Sequence, residues 1–156
     1  MDLKALVRYG KYVRQVLLPC DREEVAYRFG SEEGEEITVT IDSIEELPTL
    51  NCEGLTLELA NELAENVEDV DEDLVLSFIE SESYDPKYLA SVDFDDCFLY
   101  PDVDTDRELG EYLVKELGVE LSKEKLLQYL DHEKLGRDVR LEEGGSFVDK
   151  GYFVSR

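Results

Sequence analysis

Leu55-Thr56-Leu57-Glu58-Leu59-Ala60-Asn61-Glu62-Leu63-Ala64-Glu65-Asn66-Val67-Glu68-Asp69-Val70 is the stretch that sorts this chain into elements. Leu55, Leu59, Leu63, Val67 and Val70 recur at spacings of four, four, four and three, and Ala60 and Ala64 widen the same face. That period belongs to an amphipathic helix with one buried stripe. The acids Glu58, Glu62, Glu65, Asp69 and Glu72 recur at four, three, four and three along another stripe. On one continuous helix those five would span roughly 21 Å, one carboxylate per about 5 Å. Duplex DNA carries one charge per about 1.7 Å of axis, or about 3.4 Å per strand. A second row of carboxylates would bring the surface near that density. The plainer reading of a single stripe is the solvated side of an ordinary helix.

The charge around this stretch is not plain. Between Phe29 and Asp106 stand 25 acids and one base, Lys87, while the flanks hold 15 acids and 15 bases. The whole net charge of −24 therefore sits in the central block. Such a charge excludes nucleic acid as a direct partner, because phosphates are repelled. It favours a strongly basic protein surface, reached by electrostatic steering. A halophilic protein would be acidic over its whole surface and would unfold at low salt; balanced ends around an acidic middle argue against that.

At 156 residues the chain is one ordinary domain, or two or three small units. No long apolar run marks a membrane span or a leader, and the residues before Arg8 are too few and too charged for one. Cys20, Cys52 and Cys97 lie far apart, which reads as reduced thiols in a cytoplasmic protein.

Outward from the helix, residues 3–18 alternate around Gly10-Lys11 and read as a β-hairpin. Asp21 and Glu24 have capping-box spacing ahead of a short helix from Arg22 to about Phe29, stopped by Gly30. Ile37, Val39 and Ile41 alternate with threonines as a third strand. Leu47-Pro48 ends this unit, and residues 54–91 read as helical. The first helix is Thr56–Val67. A second is capped by Asp71 and carries Leu74, Val75, Phe78 and Ile79, and a third opens with Asp85 as cap and Pro86 at its first position. Cys97–Pro101 is a short apolar run expected as a strand. A helix from Asp106 to Leu117 follows, with Gly118 at its C-terminal cap. Ser122 caps another, ended by Gly136, and the tail alternates around Gly144-Gly145 as a closing hairpin. The fold class is α+β. An N-terminal three-stranded sheet with one helix spans 1–50, an acidic helical unit 51–96, and C-terminal helices with a terminal hairpin 97–156.

No nucleotide-binding, hydrolase or zinc-protease motif is present. His132 is the single histidine and reads as helix surface. No residue nominates itself as catalytic, and neither an enzyme nor a cofactor is expected. Asp69, Asp71, Asp73 and Glu80 fall at positions 1, 3, 5 and 12 of a calcium loop, with Leu76 at its apolar position. The sixth position needs glycine and holds Leu74, so a calcium-binding module is the weaker alternative.

The C-terminal strings carry a resemblance. Leu126-Leu127-Gln128-Tyr129-Leu130-Asp131, then Leu135-Gly136-Arg137-Asp138-Val139, then Gly145-Ser146-Phe147 resemble the signature of ArdA-type antirestriction proteins. That signature is an aromatic-containing helix, Tyr-Gly-Arg-Asp-aliphatic, and Gly-x-Phe. Asp102–Asp106, Glu111-Tyr112 and Glu116-Leu117-Gly118 resemble its lead-in, and Tyr9-Gly10-Lys11-Tyr12 is similar to the family's Leu-Gly-Lys-Tyr. The matches run in order over nearly the whole chain. The N-terminal hairpin is shorter than in the family, and Leu135 stands where it has an aromatic.

The resemblance implies an elongated protein that dimerises, imitates bent duplex DNA and occupies the DNA groove of type I restriction–modification enzymes. The family's antirestriction motif falls near Gly118–Asp131, close to the dimer contact. The residues expected to stand in for phosphates are Glu58, Glu62, Glu65, Asp69, Glu72, Asp73, Glu80, Glu82, Asp95, Asp96, Asp102, Asp104 and Asp106. At about 1.7 Å per charge, the net charge matches roughly 40 Å of duplex. A different basic DNA channel, such as that of a CRISPR effector, is the nearer alternative target.

Overall fold

The computed structural model describes residues 1–32, 37–116, 118 and 120–155. The chain divides into two compact units, Met1–Tyr100 and Pro101–Arg156.

The first unit begins with the expected hairpin, β1 (Leu3–Tyr9) and β2 (Tyr12–Leu18), paired antiparallel from Leu3 against Leu18 to Tyr9 against Tyr12. Only Gly10 and Lys11 separate the strands, and Gly10 takes φ 59°, which glycine adopts without steric cost. Helix α1 (Arg22–Arg28) follows, with the Glu24 N–H donating to the Asp21 carboxylate at 2.7 Å. Strand β3 (Thr40–Ile44) pairs with the other edge of β1, giving the order β2-β1-β3.

This third strand starts later than the alternation suggests. Ile37 and Val39 lie ahead of it, packed against the core but unpaired. The partner strand is the limit: Thr40 sits opposite Arg8, one residue from the end of β1. The register also shifts between Leu6 and Val7, leaving Asp42 as the extra residue of a bulge.

Three helices complete this unit: α2 (Leu57–Val67), α3 (Glu72–Ser81) and α4 (Pro86–Ser91). Thr56, Asp71 and Asp85 cap them by accepting backbone N–H groups. One core joins sheet and helices. Leu3, Ala5 and Val7 of β1, Val16 and Leu18 of β2 and Ile44 of β3 share it with Leu57, Ala60, Leu63, Ala64 and Val67 of α2, and with Val75, Ile79, Leu89 and Phe94 beyond. Asparagines tie α2 in place on both flanks. Asn61 accepts from the Cys20 N–H at 3.0 Å and donates to the Cys20 carbonyl at 2.7 Å. Asn66 donates to the carbonyls of Leu89 and Val92, both at 3.0 Å. The Cys97–Pro101 run is not a strand. It follows a 3₁₀ turn at Phe94–Asp96 and leaves Phe98, Leu99 and Tyr100 exposed, because no described strand offers it a ladder.

The second unit holds α5 (Asp106–Lys115), α6 (Lys123–Tyr129), α7 (His132–Glu143) and a hairpin of β4 (Ser146–Val148) with β5 (Gly151–Phe153). Helix α5 ends at Lys115 with Glu116 as its C-cap, earlier than read, so Gly118, at φ 57°, lies two residues past the cap rather than at it. Leu117 lies outside the described residues.

Two further expectations fail here. The helix capped by Ser122 does not run to Gly136. It stops at Tyr129, and Asp131 caps a new helix by accepting the Lys134 N–H at 2.9 Å. Helix α7 then continues through Gly136, so Val139 and Leu141, read as strand, are helical. The Gly144-Gly145 pair ends α7, with Gly144 at φ 69°, and the hairpin turns later, between Val148 and Gly151.

Candidate partner-binding surface

All thirteen acids singled out from the sequence are exposed. Helix α2 carries Glu58, Glu62 and Glu65, which span roughly 10 Å of its axis. Asp69 lies in the turn after α2, and Glu72 and Asp73 open α3. The acidic stripe is therefore not one continuous helix. The spacing survives as sequence, but the chain turns after Val67. Glu80 stands in the last turn of α3, Glu82 caps its end, and Asp95 and Asp96 fall in the 3₁₀ turn. In the second unit, Asp102 adopts φ 64° in a turn, Asp104 follows it, and Asp106 opens α5.

The acids divide by what they touch. Asp42, Glu45, Glu46 and Glu58 are held by the first unit's own cations. Arg8 Nη2 lies 2.6 Å from Asp42, and Lys4 Nζ is 3.8 Å from Glu45 and 3.5 Å from Glu46. Arg22 at the start of α1 donates from Nε to Glu58 Oε1 at 2.7 Å and also from Nη2. That hydrogen bond, with the α2 backbone, holds the Glu58 carboxyl below its ordinary range. From Glu62 to Asp106, no carboxylate among the described residues makes an ion pair. Ion pairs resume in α5, where Glu111 sits between Arg107 and Lys115 at 3.1 and 3.5 Å.

Capping removes some acids from the array and leaves others. Asp71, Asp85 and Asp93 spend their carboxylates on N–H groups at the starts of α3, α4 and the 3₁₀ turn. None of these belongs to the thirteen. Glu108 accepts the Asp104 N–H at 2.9 Å, which holds its carboxyl below the usual range, helped by the Thr105 hydroxyl.

The calcium arrangement is not formed. Asp71 caps α3 and Leu74 lies within it, so the turn that position requires is absent. Among the described residues, no three His, Cys, Asp or Glu side chains converge as metal ligands. Burial, then Glu24 and Asp21, pushes the Cys20 thiol up to about 11, and burial raises that of Cys52, so these two are held protonated. His132 is the exposed first residue of α7. Among the described residues, no helix is long and apolar enough to cross a membrane.

Sequence reasoning missed the Arg22–Glu58 pair and the asparagine ties, which join residues 36, 41, 23 and 26 positions apart. No local spacing signals such contacts. It also missed the apolar surface of the second unit, where among the described residues no helix buries a side chain. Leu126 and Leu127 of α6 are each 48% exposed, and Leu135 of α7 is 49%.

Residues 13–154 match the model of a protein family described as Antirestriction protein (ArdA). No curated protein matches the chain.

Proposed function

Because the chain belongs to the ArdA family of antirestriction proteins, we propose that it blocks a type I restriction–modification enzyme by taking the place of DNA in its basic groove. The observation that carries this reading is the run of exposed acids from Glu62 to Asp106 without an ion pair among the described residues. Phosphates in DNA are solvated anions awaiting cations, and the carboxylates of this run that cap no helix are in the same state. Lysines and arginines of a DNA groove make sequence-independent contacts to the backbone, so a mimic needs no base edges. The protein acts in the cytoplasm as an inhibitor and performs no chemistry of its own.

A second copy of the chain completes the inhibitor. The second unit leaves Leu109, Leu126, Leu130 and Leu135 exposed. A unit of this size whose described helices bury no apolar side chain gains too little from folding to offset its conformational entropy. Pairing of two copies through this unit supplies the missing burial and presents two acidic runs to the enzyme.

The test is a double variant of α2, Glu62→Gln with Glu65→Gln, assayed for inhibition of a purified type I enzyme cleaving its DNA. The reading predicts weaker inhibition at unchanged fold, measured by circular dichroism. Unchanged inhibition would remove α2 from the contact surface. A protein that is folded yet never inhibits would point to another basic DNA channel.

A further inference from the structure

We infer that the Arg22–Glu58 pair marks the edge of the phosphate-like surface, with Arg22 acting as a built-in counter-ion that keeps Glu58 out of contact with the partner. This rests on the function proposed above and sharpens which carboxylates perform it. Glu58 and Glu62 sit one turn apart on α2 and are both exposed. By position alone they are equivalent. Their electrostatic surroundings are not. Glu58 Oε1 accepts two N–H groups from Arg22, whereas Glu62 makes no ion pair among the described residues.

A partner lysine or arginine approaching Glu58 meets the guanidinium already there. It must either displace a planar, two-point donor or accept repulsion from it. At Glu62 and Glu65 it meets only water. Before Glu58 in sequence, Asp42, Glu45 and Glu46 of the sheet and its edge loop pair with Arg8 and Lys4, while Glu53, between Glu46 and Glu58, makes no ion pair among the described residues. Acids after Glu58 face a single base in their block, Lys87, with which none of them makes an ion pair. Arg22 is thus a positioning residue for the recognition surface. It limits which end of α2 the partner can read.

The experiment compares three variants for inhibition of the type I enzyme: Glu58→Gln, Glu62→Gln with Glu65→Gln, and Arg22→Gln. One exposed ion pair contributes roughly a 1.5- to 5-fold change in affinity. Glu58→Gln is expected to leave the inhibitory concentration within about 1.5-fold, while the Glu62/Glu65 variant raises it by about 10-fold. Arg22→Gln frees Glu58 and lowers the inhibitory concentration at low salt, with the gain disappearing as salt is added. Thermal melts confirm that each variant folds, since an exposed pair contributes little to stability. Glu58→Gln weakening inhibition as much as a change at Glu62, or folded Arg22→Gln losing potency, overturns the inference while leaving the inhibitor reading intact. Failure of the unmodified protein to inhibit at all overturns that reading itself.

Discussion

Residues 1–100 and residues 101–156 both form amphipathic helices, yet they treat charge and apolar surface in opposite ways. The first unit holds 26 acids and seven bases and encloses a core from Leu3 to Phe94. The second holds 14 acids and nine bases, and among its described residues no helix or strand buries an apolar side chain. The proposed phosphate-like surface calls for a rigid mount, because a fluctuating array cannot hold a fixed spacing. The first unit supplies that mount through its core and the asparagine ties on α2. The second unit leaves leucines of α5, α6 and α7 exposed, the area through which a second copy is proposed to associate. The acidic run proposed for the partner ends in this unit, at Asp102, Asp104 and Asp106, ahead of those leucines in sequence.

The comparison breaks most visibly at the core. Leu63→Ala removes a fully buried side chain from α2 and should cost about 2–5 kcal/mol in urea unfolding. Leu126→Ala, on a half-exposed helix, should change monomer stability by less than about 0.5 kcal/mol. If the two cost the same, the second unit has a core of its own. Next in size, Leu126→Asp with Leu130→Asp should convert a dimer to monomer in sedimentation at micromolar concentration, without loss of helix signal. A dimer that survives both charges would place association elsewhere.

A smaller effect sharpens the mount. Asn66→Ala leaves the carbonyls of Leu89 and Val92 without their donor and should cost about 1–3 kcal/mol. The smallest effect is in pH. Glu111 is held below its ordinary carboxylate range, chiefly by Arg107 and then Lys115. Its contribution is present at neutral pH and is lost as pH falls through that depressed folded value. The melting temperature of Glu111→Gln should therefore lie slightly below that of the unmodified protein at pH 7 and meet it in acid.

The legible parts of this molecule were the local ones. The caps Asp21, Asp71, Asp85 and Ser122 each act within three residues, and the structure places all four as read. The sheet hairpin followed from alternation about Gly10-Lys11. Where the reading slipped, a local signal was outweighed or overlooked. Asp131 restarted a helix inside an apolar pattern that looked continuous, and the end of β1 decided where β3 could begin. The acids were legible as a set but not as individuals. Arg22 and Glu58 are brought together only by the packing of α1 and α2 on one core, which no spacing in the chain encodes.

The most direct test of the account is competition. A purified type I restriction–modification enzyme is bound to its fluorescent DNA duplex and titrated with this protein at rising salt. The account predicts displacement of the DNA in proportion to the protein added, with potency falling steeply as salt screens the carboxylates. A folded protein that leaves the DNA bound, or displaces it with a potency indifferent to salt, would contradict electrostatic mimicry of the duplex.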